Sequence, residues 1–339
     1  MTVKKAGSPA LEVAADDVLG GPVPTVLRGR TLDAPFADAL VALGETREDV
    51  VVLSADLSKY TDLVPFRTKF PERFVQVGMA EQNMMGIAAG LAKSGFLPIA
   101  VTYGVFATRR AYDQVAIALA TGMTGPAVVV AFLPGITTPF RATHQATDDL
   151  ALMRAIPGMT VIDPCDATEQ SAALAAAAAH DGPVYMRGLR GLVEQIFPEE
   201  GFAFTIGKAR LIAEGSDGAI ISTGLGTSWA LDTREILEQA GASFAILNVP
   251  TLKPIDADAI LAVAARHTCV YVIENHSTIG GLASAVSEVI ASQGLPVRVV
   301  ALGIPDVWAP AGSIDFVRAE LGLTAEAMAA RIMREGAAR

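Results

Sequence analysis

The stretch "FVQVGMAEQNMMGIAAGLA", Phe74–Ala92, decides how this chain is read. Its opening residues have a short strand pattern that ends in a turn at Gly78. Beyond the turn, Met84, Met85, Ile87, Ala88, Leu91 and Ala92 follow the spacing of a largely apolar helix. One carboxylate, Glu81, stands at the junction. Ligand crevices in α/β proteins open beyond the carboxyl ends of parallel strands, and this junction has that form. A carboxyl buried there must be hydrogen-bonded or have its pKa raised toward the neutral acid. The plainer reading is an acid in the first turn of a helix, favoured by the helix dipole, with Gln82 and Asn83 as ordinary polar neighbours. The local pattern leaves both open.

Working outward, strand and helix patterns alternate. "TLDAPFADALVALGE" from Thr31 has helical periodicity, and "VVVLSAD" (Val50–Asp56) reads as a buried strand. "LPIAVTY" is a strand, "TRRAYDQVAIALATGM" a helix, and "PAVVVAFLPG" a strand running into a loop. "QATDDLALMRAIPG", "MTVIDPC", "DATEQSAALAAAAAH" and "GPVYMRG" continue as helix, strand, helix, strand. The alternation predicts a mainly parallel sheet with helices on both faces. Chemistry then falls to Asp56, Glu81, Tyr103, Phe106, the 134–145 loop and Arg187, at strand ends. The expected divisions are an extension over 1–30, a first α/β domain over 31–192, a linker over 193–206 and a smaller α/β domain over 207–339. In the second domain "STGLGTSWA" lacks the complete dinucleotide fingerprint and the P-loop ending, and reads as a tight turn at a domain surface.

Composition narrows the function classes. The 339 residues carry 26 Lys and Arg against 36 Asp and Glu, a net charge of −10, which argues against nucleic acid as the main partner. Hydrophobic residues make up 51%, but Gly, Pro or charges interrupt every apolar run before the roughly 20 residues a membrane span needs. The opening "MTVKKAGSPALEVAADD" has no apolar signal core, so a cytoplasmic protein is expected. Cys165 and Cys269, the two cysteines, offer neither metal spacing nor a disulfide framework, and no metal ligand is expected in this chain.

Taken in order, "SADL", "VGMAEQNMMGIAAGLA", "RRAYDQV", "ATHQATDDLALMRAIPGMTVIDPCDA", "GPVYMR" and "IENHSTIGGL" resemble the C-terminal half of transketolase across residues 31–335. The chain is most similar to the split form, in which a pyrimidine-binding domain and a transketolase C-terminal domain make a separate subunit. The resemblance implies thiamine diphosphate bound at a subunit interface. Mg²⁺ and the diphosphate would be held mainly by a partner, the N-terminal transketolase subunit, in an α2β2 heterotetramer. It casts Glu81 as the carboxyl that hydrogen-bonds the aminopyrimidine and promotes proton loss from the thiazolium. Phe106 corresponds to the aromatic that stacks on the pyrimidine, Tyr103 lines the same pocket, and Asp56 lies at the cofactor edge unless it is only a helix cap. His144 matches the histidine facing the sugar's carbonyl and hydroxyls. Arg187 matches a phosphate-binding arginine, and Arg109 or Arg110 approaches substrate or interface. His276 falls in a loop the family uses structurally.

The loop before "THQ" departs from the family. "ITTPFRATHQ" puts Phe140 where an aspartate contacts substrate hydroxyls and adds Arg141 as a further cation. Leu133 and Tyr60 stand near positions that usually hold sugar phosphate through His or Ser. The expected activity is ketol transfer between sugars or sugar phosphates, with a specialised donor. The β subunit of a 2-oxo-acid dehydrogenase-like enzyme and a non-catalytic structural or regulatory subunit are the alternatives.

Overall fold

The computed structural model describes residues 23–121 and 125–337. Most of the expected 1–30 extension therefore lies outside the described residues. The first part of the chain supplies strands β1 (Thr31–Asp33), β2 (Val50–Ser54), β3 (Phe74–Gln76), β4 (Leu97–Tyr103), β5 (Ala127–Phe132), β6 (Thr160–Ile162), β7 (Pro183–Gly188) and β8 (Leu192–Glu194). The second supplies β9 (Arg210–Ala213), β10 (Gly218–Ser222), β11 (Phe244–Asn248), β12 (Thr251–Lys253), β13 (Cys269–Ser277) and β14 (Arg298–Ile304).

Every residue of β2, β4, β5 and β7 is buried, and apart from Ser54, Thr102 and Arg187 their largely apolar sequences are those of parallel strands covered on both faces. They are the centre of a seven-stranded sheet in the order β12-β6-β7-β5-β4-β2-β3. One face packs against the helices Pro35–Thr46 and Ala167–Ala179 through Phe36, Leu40, Ala173 and Leu174. The other packs against the helix Glu81–Lys93 through Met84, Met85 and Ala88. A second sheet, β14-β13-β10-β11-β9, is parallel except for β9. No helix among the described residues is long and apolar enough to cross a membrane.

Several elements differ from the sequence reading. Thr31–Asp33 is not helical; it pairs antiparallel with β8, and the helix waits for Pro35, whose fixed φ suits a first turn. The expected single helix after Tyr103 contains two π-helical stretches, Phe106–Arg110 and Gln114–Leu119. Such widened turns recur at functional sites because they rotate side chains out of α-helical register. The two domains also share a sheet: β12, from the second, pairs antiparallel with β6 of the first, Thr251 opposite Ile162 and Lys253 opposite Val161.

The turn "STGLGTSWA" is not at a domain surface. Thr223 and Gly224 are buried at the junction, where Gly224 N–H donates to Asp163 O at 3.1 Å. With φ at 51°, and with the Asp163 carboxylate 2.4 Å from where a Cβ would stand, only glycine fits. One apolar cluster accordingly runs from Leu53 and Met84 through Leu150 and Val161 to Leu247 and Leu282, across both domains.

Candidate active site

The parallel strands deliver their chemistry-bearing residues to one edge of the large sheet. β3 leads through Gly78 (φ 72°) to Glu81, the first residue of its helix and only 2% exposed. β4 ends at Tyr103 and passes directly into the π-helical turn that begins with Phe106. β5 ends at Phe132 and passes through Leu133, held at φ 57°, into the loop that carries Phe140, Arg141 and His144. Asp56, after β2, has φ 62°, and its N–H donates to Gln76 Oε1 at 2.7 Å. Two non-glycine residues in the left-handed region, just past the ends of the strands that flank β4, are the kind of backbone strain that persists at functional sites. The Asp56 side chain faces solvent.

Four rings assemble here. Tyr103 and Phe106 stack at 5.8 Å between centroids. The His144 imidazole stands edge-on to Phe106 at 5.4 Å and to Tyr103 at 6.1 Å, and Phe140 lies 4.8 Å from it on the other side. Nδ1 of His144 is 2.9 Å from the Thr143 hydroxyl; Nε2 makes no hydrogen bond among the described residues. Arg110 links the acid to the rings. Its Nη1 is 3.4 Å from Glu81 Oε2, and its guanidinium carbon is 5.0 Å from the Phe106 centroid. The structure therefore brings Glu81, Tyr103, Phe106, Phe140 and His144 together.

The arginines divide differently from the sequence reading. Arg187, expected to receive an anionic substrate group, is 1% exposed and fully engaged. Nε and Nη2 grip Asp149 at 2.8 and 2.5 Å, while Nη1 reaches Asp163 Oδ2 at 3.1 Å and Asn275 O at 3.2 Å. Burial alone would raise the pKa of Asp149, but the guanidinium holds it below the usual carboxylate range. Asp163, also desolvated and less well compensated, is pushed up to about 6. Arg187 is a buried strut, out of reach of a ligand.

Arg109 is likewise spent: it grips Asp148 with Nε and Nη2, and its Nη1 donates to Ala142 O at 2.7 Å. Its work is on the loop. Arg141 is exposed, with no ion pair among the described residues.

The sequence reading missed Arg190. It lies just past the carboxyl end of β7, is exposed, and donates to Tyr60 O at 2.9 Å. Burial raises the pKa of the Tyr103 hydroxyl, and the charge of Arg190 opposes that rise. The available signal was position: Arg187 is inside a strand buried on both faces, whereas Arg190 falls beyond its end, where crevices open. His276 is buried, its Nδ1 2.8 Å from Ser277 O, and burial pushes its pKa down to about 4, so it is a neutral structural imidazole. Among the described residues no three His, Cys, Asp or Glu side chains are grouped to hold a metal ion.

Comparison with known proteins identifies the framework. The model of the transketolase pyrimidine-binding domain matches residues 30–195, and that of the transketolase C-terminal domain matches residues 207–328. A Sinorhizobium fredii chain named as an uncharacterized transketolase family protein is 47% identical over 304 residues, 89% of this chain and 88% of that one. The 6-deoxy-6-sulfo-D-fructose transketolase subunit of a Clostridium species is 39% identical, over 86% of this chain and 90% of that one. Among solved structures, a split-gene transketolase described as an inactive β4 tetramer superposes with a TM-score of 0.79 at 37% identity, covering 88% of this chain and 96% of that one. The chain belongs to the transketolase family, of which it carries the pyrimidine-binding and C-terminal domains.

Proposed function

We propose that this chain is the pyrimidine-side subunit of a thiamine-diphosphate-dependent ketol transferase, completed by a partner that holds the diphosphate and Mg²⁺. The observation that carries the reading is the buried Glu81 carboxyl, joined through Arg110 to the face of Phe106. A buried acid close to a half-buried aromatic ring suits an aminopyrimidine, a flat ring with a hydrogen-bonding edge. When bound, the cofactor supplies a carbon nucleophile that accepts the two-carbon unit.

This chain's own residues then do the following. Glu81 holds the proton at pyrimidine N1′. Phe106 and Tyr103 fix the ring plane, and Arg110, which makes both contacts assigned to the pyrimidine, gives way to it. The Thr143 hydroxyl orients His144 so that Nε2 faces substrate, where it donates to a developing alkoxide or takes a hydroxyl proton. Arg190 and Arg141 receive an anionic end group, for which the planar guanidinium fork is suited.

Phe140 gives the site a specialised donor. Its ring is 57% exposed beside His144 and cannot accept the hydroxyl bonds an aspartate would, so once the partner covers the site and excludes water a hydroxyl aimed at it goes unpaired. A donor with fewer or displaced hydroxyls near the cleaved bond fits better. A sulfonate is as suitable a terminal group as a phosphate, since both present an oxygen face to guanidinium. The similarity to a sulfo-fructose transketolase subunit supports including sulfo-sugars in the donor set.

The test replaces Glu81 with Gln in the complex with the partner. Assembly should be retained while thiazolium C2 proton exchange and ketol transfer fall by about 10²-fold or more, the scale of a lost acid–base group. Unchanged exchange at C2 would remove Glu81 from this role.

A further inference from the structure

The residues 134–147, which bring Phe140, Arg141 and His144 to the site, form no helix or strand beyond one bridge between Pro134 and Ala146. A segment without its own ladder takes its geometry from what its backbone is bonded to. Here much of that bonding comes from the other domain. Asn275, at the end of β13, uses both ends of its side-chain amide on the loop: Ile136 N–H donates to Oδ1 at 3.0 Å, and Nδ2 donates to Pro134 O at 3.0 Å. The backbone between those two atoms turns at Gly135 (φ 56°). A Cβ there would lie 2.1 Å from Asn275 Oδ1, so the grip is close enough to demand glycine.

Further along, Gly312 N–H donates to Pro139 O at 3.1 Å, and Gln145 Nε2 donates to Pro310 O at 3.1 Å. Ser277 N–H donates to Thr147 O at 2.8 Å. The remaining tie, Arg109 to Ala142 O, is itself backed by the second domain, because the Arg109 guanidinium carbon is 5.6 Å from the centre of the Trp308 ring. The ties fall on residues 134, 136, 139, 142, 145 and 147. The two rings that join the site, Phe140 and His144, lie between them, as does the exposed Arg141.

We propose that the C-terminal domain sets donor selectivity by clamping this loop, with Asn275 and Trp308 as positioning residues that touch neither substrate nor cofactor. This rests on the ketol-transfer reading only for the identity of the substrate; the clamp itself is a statement about the loop. Trp308 is the informative member. It is 67% exposed, so it contributes little to the core, yet it covers the cation that holds the loop's centre. Without the ring, Arg109 is held by Asp148 alone and opens to water, which loosens its hold on Ala142 and lets the neighbouring backbone shift. Displacements of about 1 Å at a reacting group are enough to cost up to about 10²-fold.

The experiment compares Trp308→Ala, Trp308→Phe and Asn275→Ala in the complex with the partner. Backbone hydrogen exchange is measured over residues 136–147, alongside donor KM and kcat. Trp308→Ala should speed exchange within 139–147 while leaving β4, β5 and the second sheet unchanged. Donor KM should rise about 10-fold and kcat should fall with it, because His144 rides on the same loop as Phe140. Trp308→Phe, which keeps a ring under the guanidinium, should restore both.

Asn275→Ala should speed exchange at Ile136 in the same way; if it fails to fold, the Trp308 pair still decides the matter. The clamp is overturned if exchange over 136–147 and donor KM are both unmoved by Trp308→Ala, if exchange rises evenly over both domains, or if the only effect is weaker binding of the partner. A wild-type complex that transfers no ketol unit would instead defeat the functional reading, while the exchange measurement would still report on the clamp.

Discussion

Arg187 and Arg190 sit three positions apart on one strand and its exit, yet they belong to different problems in physical chemistry. Arg187 has two carboxylates and a carbonyl around it and is 1% exposed. Removing its charge leaves Asp149 and Asp163 buried together without compensation. Breaking such a pair from one side costs about 3–5 kcal/mol. Arg187→Met should therefore lower the urea midpoint sharply, or leave the chain unfolded. Arg190→Met touches a solvated guanidinium whose one backbone bond is to Tyr60 O, and stability should move by no more than about 0.5 kcal/mol. In the partnered enzyme its effect should appear as a raised KM for donors with a phosphate or sulfonate end, and not for uncharged ones. Equal KM changes for charged and uncharged donors would take Arg190 out of the anion site.

At the scale of elements, the helix Ala167–Ala179 shows how the junction stores titratable groups. Asp166 caps it, accepting from Glu169 N–H at 2.7 Å and from Ile196 and Phe197 N–H at 2.7 Å each. Glu169, in its first turn, accepts from Cys165 N–H at 2.8 Å and from the Asn248 side chain on β11 at 2.9 Å. Burial, reinforced by the charge of Asp166, pushes Glu169 up to about 8. Its ordinary value is 4.5, so between those limits the native chain keeps a proton that the unfolded chain has released. The stability this group contributes therefore falls as pH rises from about 4.5 to about 8, and is level above that. Denaturant midpoints across that window should decline for the wild type and decline less for Glu169→Gln. Identical slopes would show that Glu169 does not titrate as its surroundings require.

For the whole molecule, the site is an edge of one sheet carrying an acid, aromatic faces and a histidine, and the proposed function needs a second surface opposite it. The exposed Tyr60 (51%), Met79 (82%) and Phe140 (57%) at this edge are apolar area that a partner subunit would cover. The purified chain alone should then bind thiamine diphosphate weakly and turn nothing over, and both should appear on mixing with the partner, in complexes containing equal numbers of the two chains. Stoichiometric cofactor binding with full ketol transfer by this chain alone would exclude the split arrangement.

The sequence by itself determined the parallel α/β framework, because runs such as Val50–Leu53 and Ala127–Phe132 are apolar at every position, as strands inside a sheet covered on both faces are. It also determined the address of Glu81, Tyr103, Phe106 and His144, since residues following parallel strands collect at one edge. Local pattern could not decide what each polar group is bonded to. Arg187 and Arg190 are the same residue type near the same strand end, and only the arrival of Asp149, Asp163 and Asn275 from elsewhere makes one a strut and leaves the other exposed. The pairing of β12 with a strand about 90 residues earlier, the burial of the 222–226 turn and the hold of Asn275 on the 134–136 backbone are likewise contacts between segments distant in the chain. Periodicity reports which face of an element is buried, but not which element buries it; that was decided by the packing of one domain against the other.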